Sequence, residues 1–466
     1  MRRLPPAFRR LIIVVVLVVA VGVVFVVERR SSGEGCEGGL VLKGTECVGL
    51  TDGSARFGND LDGLLKRMLR ENESVRGTKD RVKVAFMIPA TTGANGPETP
   101  VSVRTQIQGA LAAVHRANTR LGPRTIRFEL AVANTGDRAR YWEIATGQVV
   151  ADPRVVAVSG LGSSVDTTLS AIARLKRDKV PMVGATMTAD DLHDIKGGLV
   201  RVAPPNEDEA KALVREVPRT AKGSVLMLRD ADETDLYAAD LAGEFRRSLA
   251  DLKPEEVPFT YGPAETSGDP FWQLRVRICS RKPSHILFAG RGRQLQDLLQ
   301  GFGAEACDGL NTTIISGDDA ARVVPEGTVA DALRLGITLR YASLASPEAF
   351  TVRPDLRTGF GQFEQSWLEL GFSREDMADG QAMMAYDSVY AVVQAANNVG
   401  SKGTPVTRAG IAAQWFQMND LQDLKYGFNG ASGRISFDPV TGNPIAKPVP
   451  IIELSSTGVR RLVTVR

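Results

Sequence analysis

Hydroxyls and acids recur in one kind of place along this 466-residue chain. They follow an apolar, β-branched run and precede a helical pattern. In "VVAVSGLGSSVDTTLSAIARL", residues 155–158 read as a buried strand. Gly160 and Gly162 allow a tight turn, and Leu169, Ile172, Ala173 and Leu175 fall at helical spacing. Such a strand–turn–helix aims unpaired backbone N–H groups and the positive end of a helix dipole at one spot. Ser163 and Ser164 add hydroxyl donors there. Three readings of the turn are open: a capped helix with no ligand, a dinucleotide fingerprint, or a site for a carboxylate or similar small anion. Gly160-x-Gly162 fits the second, but Val165 stands where its third glycine belongs.

Three more turns have the same form. "VPMVGATMTADDL" offers Thr186 and Thr188 before Asp190 and Asp191, either as a helix cap or as ligand donors. "LRDADETDLYAADLA" puts Tyr237 on the first turn of a helix, to pack in the core or to close over a ligand. "ISGDDAARV" places Asp318 and Asp319 directly after a strand, as a solvated turn or with Asp318 facing an ammonium and Asp319 in solvent. Several βα turns converging on one crevice suffice for binding. Catalysis needs more, and the sequence offers no G-x-S-x-G elbow and no P-loop, only three scattered histidines, His115, His193 and His285. The expectation is a binding protein, not an enzyme, with no cofactor and no zinc site. The net charge of +3, with no basic run interleaved with aromatics, argues against nucleic acid.

These turns need elements to hold them. From Arg81 onward strand and helix patterns alternate, at a length that suggests two parallel sheets with helices on both faces. "NGASGRISFDPVTGNPIAKPVPIIEL" reads as a hairpin followed by a strand. At the amino end, "MRRLPPAFRR" precedes an apolar run over residues 11–27, closed by "ERR". That run spans roughly 25 Å as a helix. The expected layout is a cytoplasmic terminus (1–10), a transmembrane anchor (11–28), and a linker with two cysteines and a stalk or capping helix (29–78). Arginines are denser before the run, so the bulk of the chain is expected outside the cell membrane. Cys36, Cys47, Cys279 and Cys307 form two sequence-local pairs, read as two disulfides with four buried thiols as the alternative.

The order of these motifs resembles the type I periplasmic (solute) binding proteins, in the branch that holds the branched-chain amino-acid-binding proteins. The likeness covers residues 82–463. "MIPATTGANG" and "GALAAVHRAN" match the family's first loop and helix, "VSGLGSS" its serine turn, and "PMVGATMTADDL" its threonine turn. "LVRVAPPNEDE", "DLYAADLA", "AYDSV" and "GRISFD" follow in the family's order. The resemblance implies two doubly wound lobes joined by a three-stranded hinge within residues 79–466. Lobe 1 would hold about 81–203 and 334–425, and lobe 2 about 204–333 and 426–466. It also implies a small amino-acid-like ligand between the lobes. The ligand carboxylate would meet Ser163, Ser164 and Thr188, with Thr186 beside them, its ammonium would meet Asp318, and Tyr237 would line the cleft. The partner would be an ABC importer or, alternatively, a membrane signalling protein. Met187 and Gly184 depart from the family pattern, as do Arg291 and Arg293 after "LFAG".

Overall fold

The computed structural model describes residues 36–466 except 59, 94–95, 121–125, 222–223, 263–270, 306 and 421–425. The expected anchor lies outside the described residues. Among those described, no helix is long and apolar enough to cross a membrane.

The strands in chain order are β1 (Val41–Lys43), β2 (Glu46–Thr51), β3 (Arg81–Ile88), β4 (Arg127–Asn134), β5 (Val155–Gly160), β6 (Met182–Gly184), β7 (Leu199–Arg201), β8 (Val225–Asp230), β9 (Glu255–Phe259), β10 (His285–Ala289), β11 (Thr312–Ser316), β12 (Ile337–Ala342), β13 (Phe428–Gly430), β14 (Gly433–Ile435), β15 (Pro450–Leu454) and β16 (Arg460–Val465). They build two seven-stranded sheets, β1-β2-β4-β3-β5-β6-β7 and β16-β15-β12-β11-β10-β8-β9, and the small hairpin β13-β14. The sheets are mixed rather than purely parallel. Each has a parallel run (β4-β3-β5-β6-β7, and β9-β8-β10-β11-β12) extended at one edge by an antiparallel pair. In order of appearance, both parallel runs read 2-1-3-4-5.

Helices cover both faces of each sheet, so strands such as β3 and β5 are buried along nearly their whole length and read as near-continuous apolar runs, interrupted by Lys83 in β3 and Ser159 in β5. One face of the first sheet carries the helices Asp62–Val75, Pro100–Arg120 and Gln381–Gly400. The other carries Trp142–Ala151 and Asp166–Arg177. Gly109 lets two of these helices touch, since a Cβ there would lie 2.1 Å from the Ala382 carbonyl oxygen. The second sheet is packed on both faces in the same way.

Three expected boundaries move. The β1-β2 hairpin joins β4, and the helix Asp62–Val75 buries Leu64, Leu65 and Met68 in the first core, so this segment caps lobe 1 instead of standing off it as a stalk. The strand β12 pairs with β11, so the chain returns to the first lobe after Ala342 and not near 334. The hairpin β13-β14 buries Phe428 and Ile435 in the first core, where Asp387 accepts the Ala431 and Ser432 N–H groups. Lobe 1 therefore continues past 425 to at least Phe437. The chain crosses between the cores three times: between Ala203 and Ala210, Ala342 and Leu344, and Phe437 and Val449.

Both cysteine pairs are disulfides. Cys36–Cys47 staples the first hairpin, and Cys279–Cys307 ties the helix Trp272–Arg281 to the chain after the helix Gly292–Ala304. Their sequence separations of 11 and 28 residues predict a loss of about 3–4 kcal/mol for each bridge reduced. Urea denaturation with and without reductant measures it. An unchanged midpoint would show that the bridges constrain nothing the fold does not already hold.

Candidate ligand site between the lobes

A 2-1-3-4-5 parallel order has a switch point between its first and third strands, where the loops at their carboxyl ends diverge and leave a crevice. In lobe 1 these are the loops after β3 and β5, which carry Glu98 and Ser163. In lobe 2 they are the loops after β8 and β10, which carry Asp235 and Arg291. The two crevices face each other and are joined by hydrogen bonds. The Tyr237 N–H donates to the Ser164 carbonyl at 3.3 Å, and the Asp166 N–H to the Thr234 carbonyl at 3.1 Å. The Arg291 guanidinium reaches the same Ser164 carbonyl at 3.2 Å.

The serine turn has the shape its sequence implies. Gly160, Leu161 and Gly162 all take positive φ, at 92°, 74° and 72°. Leu161 is costly there, while a Cβ at Gly160 would lie 2.6 Å from the Met87 carbonyl oxygen. The turn brings Ser164 against the threonine turn, where its Oγ accepts the Thr188 and Ala189 N–H groups at 3.2 and 3.3 Å. The Thr188 carbonyl in turn accepts the Asn206 N–H at 2.7 Å. Those backbone donors are thus engaged within the protein. Ser163 Oγ donates to Glu98 Oε1 at 2.6 Å. Thr186 is buried, and its Oγ1 has no partner.

Across the interface Tyr237 is buried, with Arg291 stacked over its ring at 4.6 Å and its Oη accepting the Asp319 N–H at 3.3 Å. Asp318 donates its N–H to Glu209 Oε2 at 3.1 Å. Asp318 Oδ1 and Glu209 Oε1 are buried without a partner. Burial, and then the neighbouring Asp319, push the Asp318 carboxyl up to about 7. Burial and Asp318 push Glu209 well above the usual carboxylate range.

Asp319 is not solvated as expected. It is only 3% exposed, its Oδ2 accepts the Gly292 N–H at 2.6 Å, and its Oδ1 pairs with Arg322 at 2.8 Å. The reason is that the turn after β11 folds against its own lobe, where Gly292, Arg291, Arg322 and the Tyr237 hydroxyl surround Asp319 and Glu209 meets the Asp318 N–H.

The structure brings Ser163, Ser164, Thr188 and Tyr237 to one interface. Sequence reasoning missed Glu98, Glu209, Asp235 and Arg322. Glu98 stands in a Pro/Gly-rich loop, and Glu209 in "NEDEA", which reads as an acidic helix start. The available signal was the pair of arginines after β10 and β11, since charges directly behind buried strands require counter-charges nearby. Arg291 provides one case, with its Nε 2.6 Å from Asp235 and the Asp235 side chain only 5% exposed.

Two interlobe cavities flank the ion pairs. One of about 500 Å³ is lined by Ser102, Thr105 and Asp379 from lobe 1 and by Arg293, Arg322 and Arg460 from lobe 2. The other, about 210 Å³, is lined by Pro97, Arg138, Asp230, Asp235 and Arg291. Neither is lined by Ser163, Thr186, Thr188 or Asp318.

No protein-family model and no curated protein sequence matches the chain. Solved structures do. A leucine-binding protein from Thermotoga maritima aligns with a TM-score of 0.63 at 18% identity, covering 82% of this chain and 98% of that one. The branched-chain amino acid transporter substrate-binding protein of Streptococcus pneumoniae, in complex with isoleucine, aligns at 0.62 and 18%, covering 83% and 99%. The chain has the type I periplasmic-binding-protein fold. A solute-binding protein of an ABC transporter from Rhodopseudomonas palustris, in complex with 4-hydroxybenzoate, aligns at 0.62 and 15%, covering 83% and 97%. The fold therefore accommodates ligands both with and without an amino group.

Proposed function

We propose that this protein is a membrane-anchored, extracytoplasmic solute-binding protein that captures a small amino-acid-like ligand between its lobes for an ABC importer. The observation that carries the reading is the set of buried acceptors left over at the interface: Asp318 Oδ1 and Glu209 Oε1, with Thr186 Oγ1 from the other lobe. A buried polar atom with no partner costs about 1–3 kcal/mol. A ligand ammonium supplies the donors that two such acids lack, and it favours their charged form. The type I neighbours that bind leucine and isoleucine support the same ligand class. The apolar run over residues 11–27, flanked by arginines, supports anchoring. It also favours a second reading, a ligand sensor that reports to a membrane partner, because an uncut tether serves signalling as well as uptake.

The test uses the full-length protein extracted from membranes, with thermal unfolding followed against the standard amino acids and a series of aromatic acids. A ligand bound only by the native state at a hundred times its Kd adds about 2.7 kcal/mol. An amino acid is expected to give the largest shift. Shifts from acids lacking an amino group alone, or recovery of the protein in the soluble fraction, would each overturn the corresponding part of the reading.

A further inference from the structure

The serine turn already holds a carboxylate, and that carboxylate belongs to the chain. Glu98 is fully buried, its side chain 1% exposed, in front of Ser163. Its Oε1 accepts the Ser163 hydroxyl at 2.6 Å, and its Oε2 accepts the Ser102 hydroxyl at 2.5 Å and Gln106 Nε2 at 3.4 Å. Oε2 also pairs with Arg322 Nη2, from the opposite lobe, at 3.0 Å. Arg322 Nη1 donates to the carbonyl of Pro97, the residue before Glu98. Burial alone would raise the Glu98 carboxyl, but Arg322 and the two serines outweigh it and hold it below the usual range. A hydroxyl has one proton to give, and Ser163 gives it to Glu98.

A second contact is of the same kind. Arg291, from lobe 2, stacks over Tyr237 and donates to the lobe 1 carbonyl of Ser164. An anion from lobe 1 and two cations from lobe 2 thus meet where the two switch points face. We propose that Glu98 is a built-in occupant of the anion position, and that its pairing with Arg322 latches the lobes closed when no small molecule is bound. A ligand carboxylate must displace Glu98 from Ser163 before it can take that hydroxyl. The latch acts against like-charge contacts made by the same closure. Carboxylate oxygens of Asp190 in lobe 1 and of Asp240 and Glu244 in lobe 2 lie within 4.8 Å of one another, offset in part by the Asp190 N–H, which donates to Asp240 Oδ2 at 2.9 Å. Of the opposite-charge pairs across the interface, Glu98–Arg322 is buried, whereas Arg138–Asp232, at 3.2 Å, is more than a third exposed.

This inference rests on reading the cleft as a ligand site but not on which ligand enters it. The test compares full-length protein, Glu98→Ala and Arg322→Gln, each without ligand, by small-angle scattering and by amide exchange at Asp166 and Tyr237, whose N–H groups bond across the interface. The wild-type protein is expected to scatter as the closed form and to protect both amides. Each variant is expected to expand and to exchange at these amides at least tenfold faster. Acetate at millimolar concentration should restore protection to Glu98→Ala, because it refills the carboxylate position, and should not restore Arg322→Gln. Arg322→Gln decides the matter if Glu98→Ala does not fold. An open wild-type protein, closed variants, or an acetate effect equal in the two variants would overturn the latch. If the latch holds but no amino acid stabilises the wild type, only the assigned function fails. If amino acids bind an open wild type, only the latch fails.

Discussion

Asp318→Asn is expected to weaken binding of an ammonium-bearing ligand by roughly two to four powers of ten, because removing one partner of a buried charged pair costs about 3–5 kcal/mol. The same substitution should leave the protein more stable at pH 8, which separates a functional role from a structural one. The sign follows from where the proton is held. The native carboxyl is raised to about 7 by burial and by Asp319, against about 3.9 in an unfolded chain. Between those values the native state binds more protons than the unfolded state, so stability falls as pH rises through that window and levels off above it. Asparagine removes this contribution. Variant and wild type should be equally stable near pH 4, with the variant ahead at pH 8. Calorimetric titration and urea denaturation at the two pH values measure both effects. Unchanged affinity, or a variant less stable at pH 8, would show Asp318 to be an ordinary part of the interface. Asp319→Asn should behave in the opposite way, losing stability at neutral pH, because Asp319 is engaged with Arg322 and the Gly292 N–H.

Arg291→Met should cost about 3–5 kcal/mol of stability, the range for breaking a buried ion pair from one side. Its Nε and Nη2 hold Asp235, its Nη1 lies 3.6 Å from Asp319, and its Nη2 also serves the Ser164 carbonyl. Methionine keeps the stem and leaves Asp235 buried without its cation. The double variant Arg291→Met, Asp235→Asn should recover part of the loss, since the stranded charge goes with it. Chemical denaturation of the two singles and the double gives the coupling directly. Additive losses would show that the two side chains do not act as a pair.

The parts of the fold that are buried on both faces were legible. The strands β3, β5, β8 and β10 are near-continuous apolar runs, because a parallel sheet covered by helices leaves them no solvent side. The strands that escaped notice break that rule. The strand β9 alternates around Pro258 with a half-exposed pattern. In β12, Thr338 and Arg340 alternate with buried neighbours, which concealed the true lobe boundary. The site was half legible for a related reason. Local spacing reveals a turn, as Gly160-x-Gly162 does, but not what faces it. Glu98 lies 65 residues from Ser163 along the chain, and Arg322 lies 224 from Glu98. The first pairing needs the fold of one lobe, and the second exists only once the two lobes meet.

The antiparallel pairs at the two sheet edges come from opposite ends of the described chain, the hairpin after Cys36 on lobe 1 and the final two strands on lobe 2. A pull arriving ahead of Cys36 passes through the disulfide straight to Cys47 and bypasses the turn between β1 and β2. The hairpin cannot then peel open one hydrogen bond at a time. The load enters where Gly49, Leu50 and Thr51 pair with Asn134, Ala133 and Val132, and it is shared among those bonds as shear. Force applied from that end is thus delivered to lobe 1, through the pairing of β2 with β4.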